Sequence, residues 1–396
     1  METENKSTIH LIPGLRMPRL LIGNDSVEVI GKEVRRLKAE KAIIITDRAL
    51  VELGLLNKAT QALEKEGIHV DLFEEVAYEP TIGVVDKALD IVRKNQYDMV
   101  IGFGGGSPLD AAKVIACLVD NEGSVRDYVG KGKIQKRGLP FILVPTTGGT
   151  GAEVSPNTIV TDEGDGNKKL IADDKLFPEL AIVDPLLTLT VTPKLTAYTG
   201  IDALTHAMGC YVTRKANPLS DALAIQAIEW ISNGLRRAVS NGAVDREARY
   251  NTALGSTFGM IARVNSGGGA VHGMSYPLGT KHHLPHGQSI ALLLPHVMEF
   301  SVNSALPKFA RIAKAMGERT EGLSEEEAAN KAVEAIKALL KDIGIFQGLS
   351  EVGVKKEEFP GFADIVYEFS YRHIEANPRM LTKEDIVKVY ENAWKI

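Results

Sequence analysis

A change of rhythm near residue 186 constrains this chain more than any other feature of its sequence. From Lys41 to Val183 short β-branched runs alternate with longer amphipathic stretches, and after Asp184-Pro185 one helical period follows another. Such alternation dictates a parallel sheet with helices on its faces, because parallel neighbours can be joined only by a long return connection. The expected strands are Ala42–Thr46, Val70–Phe73, Asp98–Phe103, Phe141–Val144 and Ala181–Val183, with crossover helices over Ala49–Glu66 and Ile82–Asn95. The second half reads as helices over Lys194–Val212, Leu219–Asn233, Asp245–Ile261, Ala305–Met316, Ser324–Ile343, Pro360–Tyr371 and Lys383–Trp394. Two domains are expected: an α/β domain over 1–186 and an all-helical domain over 187–396. The ligand cleft belongs between them, beyond the carboxyl ends of the strands.

Length agrees, since 396 residues exceed what one core usually serves. Lys and Arg number 46 against 51 Asp and Glu, and no basic block occurs, so the footprint of a nucleic-acid binder is missing. The two cysteines, Cys117 and Cys210, fall inside apolar helical patterns, which excludes a disulfide framework and suits a reducing compartment. The segment Met1-Glu-Thr-Glu-Asn-Lys-Ser7 lacks the basic and apolar regions of a signal peptide, and no run of about 18 apolar residues appears. A cytoplasmic location without membrane or nucleic-acid partners is the expectation.

Three stretches look like a nucleotide seat. Asp98-Met-Val-Ile-Gly-Phe-Gly-Gly-Gly-Ser-Pro-Leu-Asp110 runs from a buried strand through glycines into a helix expected to open at Pro108. Bare backbone at Gly104, Gly105 and Gly106 lets N–H groups approach an anion at the positive end of that helix. The same residues would also make a tight turn with no ligand, and the spacing matches neither Gly-x-Gly-x-x-Gly nor a Walker loop. Asp47 closes the first strand, where a carboxylate can accept from both ribose hydroxyls of an adenosine and repel a 2′-phosphate, favouring NAD over NADP. It precedes the glycines instead of following them, and by itself reads as an exposed turn aspartate. Pro145-Thr-Thr-Gly-Gly-Thr150 offers hydroxyls and bare backbone after another strand, as a second lip would.

Six of the nine histidines lie between residues 206 and 296. His206 follows Asp202 by four positions, which puts both on one helical face and also fits a plain local hydrogen bond. His272 follows the glycine cluster Gly267-Gly-Gly269, and His286 sits in Leu284-Pro-His-Gly287, read as a loop. Three imidazoles and a carboxylate suit Fe²⁺ or Zn²⁺ better than Ca²⁺ or Mg²⁺. His282 and His283 compete for the last ligand position, while His10, His69, His296 and His373 read as capping, packing or solvent-facing residues.

Together these residues carry a resemblance over nearly the whole chain. Gly104-Gly-Gly-Ser-Pro-Leu-Asp110, Pro145-Thr-Thr-Gly-Gly-Thr-Gly-Ala-Glu153, Gly200-Ile-Asp-Ala-Leu-Thr-His206, Val271-His-Gly-Met274, Leu284-Pro-His-Gly287 and Asn377-Pro-Arg379 resemble the iron-containing (group III) alcohol dehydrogenases. The resemblance implies a Rossmann-like dinucleotide-binding domain followed by a helical metal-binding domain, the fold shared with dehydroquinate synthase. It implies metal ligands Asp202, His206, His272 and His286, holding iron(II) by preference, with zinc or manganese as substitutes. It further implies that Gly104, Gly105, Gly106, Ser107 and Asp110 hold the pyrophosphate and nicotinamide side of NAD. Thr146, Thr147 and Thr150 line the cofactor, Lys169 reaches its ribose, and Asp47 marks NAD preference. The reaction implied is hydride transfer between nicotinamide and a short alcohol or aldehyde, with the metal as Lewis acid, in a homodimer or larger homo-oligomer joined around Leu20–Gly23.

Two departures from that pattern bear on substrate. Tyr276 stands where many members carry a second histidine proposed to shuttle a proton, and a phenol with pKa about 10 exchanges protons poorly at pH 7. Arg263 and Gly268 stand where the family commonly carries Phe and Leu, so a bulky apolar wall becomes a cation beside open space. If Arg263 faces the pocket it pairs with an anionic tail, with Asn157 adding a hydrogen bond; if it turns away it forms a salt bridge on its helix. The expected substrate is a short aldehyde bearing a carboxylate, sulfonate or phosphonate, such as sulfoacetaldehyde or succinic semialdehyde. The competing expectations are a short-chain alcohol or diol dehydrogenase without anionic preference, a glycerol dehydrogenase or dehydroquinate synthase relative, and a metal- or nucleotide-binding protein without turnover.

Overall fold

A computed structural model describes residues 14–76 and 79–395. His10 and the amino-terminal segment lie outside the described residues. The strands are β1 (Arg19–Ile22), β2 (Lys41–Ile45), β3 (His69–Phe73), β4 (Met99–Gly104), β5 (Gly130–Lys131), β6 (Phe141–Pro145), β7 (Asn157–Asp162), β8 (Asn167–Ala172) and β9 (Leu180–Val183). The first helices are α1 (Ile30–Arg36), α2 (Arg48–Glu52), α3 (Asn57–Lys65), α4 (Ile82–Asn95) and α5 (Gly106–Leu118). After β9 come α6 (Pro193–Val212), α7 (Pro218–Asn241), α8 (Arg246–Ser266), α9 (Ala270–His282) and α10 (His286–Ser301). The last four are α11 (Leu306–Ala315), α12 (Glu325–Asp342), α13 (Phe359–Ala376) and α14 (Lys383–Asn392).

Six strands form a parallel sheet in the order β1-β9-β6-β4-β2-β3. Period-two alternation serves both of its faces: Ala42 and Ile44 of β2 join one buried cluster, Ile43 and Ile45 the other. The chain leaves β2 towards β3 and returns to β4 on the other side, so the sheet has its switch point between β2 and β4. A crevice opens there at the carboxyl ends. Asp47 follows β2 and Gly104 ends β4, which places them at that crevice despite their distance in sequence.

All five strands expected from the sequence are present, but four others are not anticipated. β1 pairs with β9 at the sheet edge, and β5, β7 and β8 make a second, three-stranded sheet. These four are short or mostly polar, so no apolar run announces them. The expected helix Ala49–Glu66 is two helices, because Gly54 adopts φ +69° between α2 and α3. The helix after the glycines opens at Gly106 and not at Pro108. α9 and α10 are also unanticipated: each contains an interior proline, Pro277 or Pro295, which ordinarily argues against a helix. Among the described residues no helix is long and apolar enough to cross a membrane. The helical half has its own core, with α6 and α10 at its centre.

Candidate metal centre and nucleotide cleft

Four side chains from three helices meet at one carboxylate oxygen. Asp202 and His206 lie one turn apart on α6, and Nε2 of His206 is 3.6 Å from Oδ1 of Asp202. His272, in the first turn of α9, brings its Nε2 to 3.2 Å from the same oxygen, and Nε2 of His286 stands 3.4 Å from it. The His206 and His272 rings stack with centroids 4.6 Å apart. His286 is the first residue of α10 and not part of a loop, with Pro285 capping the helix in extended geometry. Its imidazole is therefore aimed by a helix start, which fixes it better than the expected loop.

Glycines make the convergence sterically possible. A Cβ on Gly287 would stand 2.3 Å from the Tyr198 carbonyl oxygen, so only glycine lets α10 begin against α6. A Cβ on Gly209 would lie 3.1 Å from the Gly269 nitrogen, where the glycine loop crosses α6. Asn377 pins the start of α9 by accepting from Ala270 N while donating to Ser301 Oγ and the Arg379 carbonyl. The motif Asn377-Pro-Arg379 thus orients the helix that carries His272.

Electrostatics suit a cation. Burial would raise the Asp202 carboxyl, but the neighbouring imidazoles outweigh it and hold that carboxyl well below its ordinary range. Burial holds His206 well below the imidazole range and brings His272 down to about 4, so both rings are neutral at pH 7. His206 Nδ1 is buried without a hydrogen-bond partner. One ionised carboxylate and neutral imidazoles are the donor set of a borderline divalent ion, so the residues fit Fe²⁺, Zn²⁺ or Mn²⁺. Neither rival joins them: His282 Nε2 is 2.9 Å from Glu358, and His283 ends α9 in left-handed geometry.

Of the residues expected to hold the cofactor, those of 104–107 and 146–150 lie at the turns that follow β4 and β6. A Cβ on Gly106 would touch Thr150 at 3.0 Å, and one on Gly105 would come within 3.7 Å of Thr147, so the two lips face each other. Thr146 is buried beneath them, its N–H bonded to the Gly104 carbonyl. Ser107 Oγ accepts from Glu79 N at 3.2 Å. The Asp47 Oδ1 caps α2 through Leu50 N. Asp110 is engaged locally: Lys113 Nζ and Ile159 N bond its two oxygens at 2.9 Å each, a use the sequence did not suggest. Lys169 on β8 pairs with Asp165, and Asn157 opens β7, its carbonyl accepting from Lys113 Nζ at 2.7 Å.

Arg263 does not make the salt bridge that its helix position allowed; no ion pair engages it among the described residues. Its Nε is sealed from solvent without a partner and lies where a Cβ on Gly268 would meet it at 3.1 Å. It is close enough for its charge to help depress both His206 and His272. Tyr276, one turn after His272, is raised above the usual phenol range by burial, with Lys169 opposing. The sequence missed one neighbour of this site: His373 on α13, which a Cβ on Gly273 would touch at 3.1 Å. Nothing in its local spacing marked it.

Fold and site together define a parallel α/β sheet joined to a helical half, with a candidate metal site among the helices. The family description "Iron-containing alcohol dehydrogenase" matches residues 18–185, and "Fe-containing alcohol dehydrogenase family, C-terminal" matches 196–394. Long-chain-alcohol dehydrogenase 1 of Geobacillus thermodenitrificans is 40% identical over 377 residues, 94% of each chain. The crystal structure of a 1,3-propanediol oxidoreductase superposes with TM-score 0.93 at 35% identity, covering 97% of this chain and all of that one. Sulfoacetaldehyde reductase from Bifidobacterium kashiwanohense, solved with NAD⁺, gives TM-score 0.89 at 27% identity over 97% of this chain and 99% of its own. The chain belongs to the iron-containing alcohol dehydrogenase family.

Proposed function

We propose that this chain is an NAD(H)-dependent aldehyde reductase or alcohol dehydrogenase acting on a short substrate with an anionic tail. A metal at the Asp202 centre supplies Lewis acidity towards a carbonyl oxygen, and nicotinamide supplies the hydride chemistry. Asp202, His206, His272 and His286 hold the metal. Gly104, Gly105, Gly106 and Ser107 seat the pyrophosphate, Thr146, Thr147 and Thr150 line the cofactor, and Asp47 takes the adenosine ribose. Lys169 reaches the second ribose once it leaves Asp165, and Asp110 braces the lip through Lys113. Tyr276 keeps its proton at neutral pH, so it orients water or substrate as a donor and does not serve as the base. Residues 1–186 form the dinucleotide domain and 187–396 the metal domain.

The observation that carries the substrate reading is the orphaned Nε of Arg263 beside the metal ligands. A guanidinium held near a bound cation needs an anion, and the space that Gly268 leaves is taken by the Arg263 guanidinium itself, whose Nε a Cβ there would meet at 3.1 Å. The relatives named above act on a long-chain alcohol, a diol and a sulfonated aldehyde, so the shared frame leaves the substrate to the pocket walls. Asn157 adds a hydrogen bond at the pocket edge. The exposed side of β1 joins a second copy, and the free, buried Cys117 and Cys210 suit a cytoplasmic setting.

The test is NADH oxidation with sulfoacetaldehyde, succinic semialdehyde and propanal, using iron-loaded, zinc-loaded and chelated protein. Turnover lost on chelation, with kcat/KM for an anionic aldehyde at least tenfold above propanal, is expected. Arg263→Ala should erase that preference; an anionic preference surviving in Arg263→Ala removes the assigned role.

A further inference from the structure

Arg263 is not alone above His272. Helices α9 and α13 pack so that Tyr276 meets Phe369, ring centroids 6.0 Å apart, while Gly273 meets Ser370 and His373, its absent Cβ standing 3.1 Å from the Cβ of each. His373 therefore flanks the His272 turn from the α13 side, near enough for Arg263 and His272 to act on it, while Arg263 approaches from α8 against Gly268. Each is a polar group set beside a glycine of the segment that carries His272.

We propose that His373 is a second contact for the substrate's anionic tail, and that Arg263 and His373 together select a three-oxygen head, sulfonate or phosphonate, over a planar carboxylate. This deepens the anionic-substrate reading above and rests on it.

The chemistry follows from donor geometry. A guanidinium fork satisfies the two oxygens of a carboxylate lying in its plane. A tetrahedral head keeps a third oxygen out of that plane, which needs a donor from another direction, and a side chain on a different helix supplies one. Burial, then the positive charge of Arg263, the neighbouring His272 and the charges of Arg372 and Lys131, hold the His373 imidazole well below its usual range. A neutral imidazole still offers one N–H, so it binds an anion without adding a buried charge. Lys131 belongs to β5 and Arg372 to α13, so positive charge reaches His373 from both halves of the molecule and favours an anion beside it.

Two variants and two readouts test this. His373→Leu removes the donor, and His373→Gln keeps an N–H of similar reach. In the holoenzyme with NADH, His373→Leu should lower the ratio of kcat/KM for sulfoacetaldehyde over succinic semialdehyde by about tenfold or more, chiefly through KM, with His373→Gln restoring much of it. Calorimetry of the NAD⁺ complex should show wild type binding ethanesulfonate or ethylphosphonate more tightly than propanoate, the stronger of the two identifying the head group, and His373→Leu losing that difference. An unchanged ratio together with unchanged ethanesulfonate and ethylphosphonate binding in His373→Leu overturns the proposal, as does loss of bound metal in both variants. A wild type showing no preference for either anionic aldehyde over propanal would instead remove the underlying anionic reading, a result distinguishable from failure of His373 alone.

Discussion

His272 Nε2 stands 3.2 Å from Asp202 Oδ1, although 70 positions separate the two residues in the chain. The contact joins α6 to α9 at their buried faces, and His206 and His286 complete the cluster around that single oxygen. Three rings about one carboxylate, two of them held neutral by burial, leave it the natural seat of positive charge.

Replacing Asp202 with Asn keeps the shape and removes the charge. Metal content by elemental analysis should fall to near zero at stoichiometric loading, and kcat/KM should drop roughly a thousandfold, as expected when several kcal/mol of charge stabilisation are withdrawn. Full metal occupancy in the variant would contradict the assignment.

Gly287→Ala tests how the fourth imidazole is placed. The new Cβ would press on the Tyr198 carbonyl oxygen at 2.3 Å, forcing the start of α10 away from α6. Overpacking of this kind costs about 1–3 kcal/mol, so the melting temperature should fall. Metal affinity should weaken with it, since His286 immediately precedes the displaced residue. A variant with wild-type metal affinity would show that His286 is not needed where it stands.

Asp47→Asn separates the cap from the charge. The Asn side chain can still accept from Leu50 N, as Asp47 Oδ1 does, so α2 should persist. Loss of repulsion towards a 2′-phosphate should raise the NADPH-to-NADH ratio of kcat/KM by roughly tenfold or more. An unchanged ratio would place the ribose elsewhere.

Glu153 carries a prediction about pH. Its carboxyl is buried between the threonine loop and α8, accepts from Thr257 Oγ1 at 2.8 Å, and is raised above its ordinary range by burial. A raised acid binds its proton more tightly in the folded state than in the unfolded one. Its contribution is therefore greatest below about pH 4.5 and is lost as pH rises through the folded value. Glu153→Gln mimics the protonated form, so denaturant melts should show the variant gaining on wild type from pH 5 to pH 8. A constant difference across that range would mean the carboxyl does not titrate as described.

Much of the sheet was legible because β2, β4 and β6 are buried on both faces and read as unbroken apolar runs. The strands β5, β7 and β8 were not, since a partly exposed sheet carrying Asn, Thr, Lys and Asp resembles a loop in one dimension. Asp202 and His206 could be paired from their spacing, a consequence of helical period alone. No comparable local rule linked them to His272 and His286, whose helices were masked by glycines and by Pro277 and Pro295. His373 went unrecognised because a lone histidine on an amphipathic helix carries no sign of what its neighbours are.

The amino-acid sequence by itself determined the α/β half, the helical half, the glycine turns and the types of group available for chemistry, because periodicity and backbone freedom are local properties. Only the tertiary structure decided that α9 and α10 deliver two more imidazoles to Asp202, that Arg263 lacks an ion-pair partner among the described residues, and that His373 packs against Gly273. Those relations depend on how closely helices distant in the chain can approach, and that distance is set by packing at Gly209, Gly273 and Gly287.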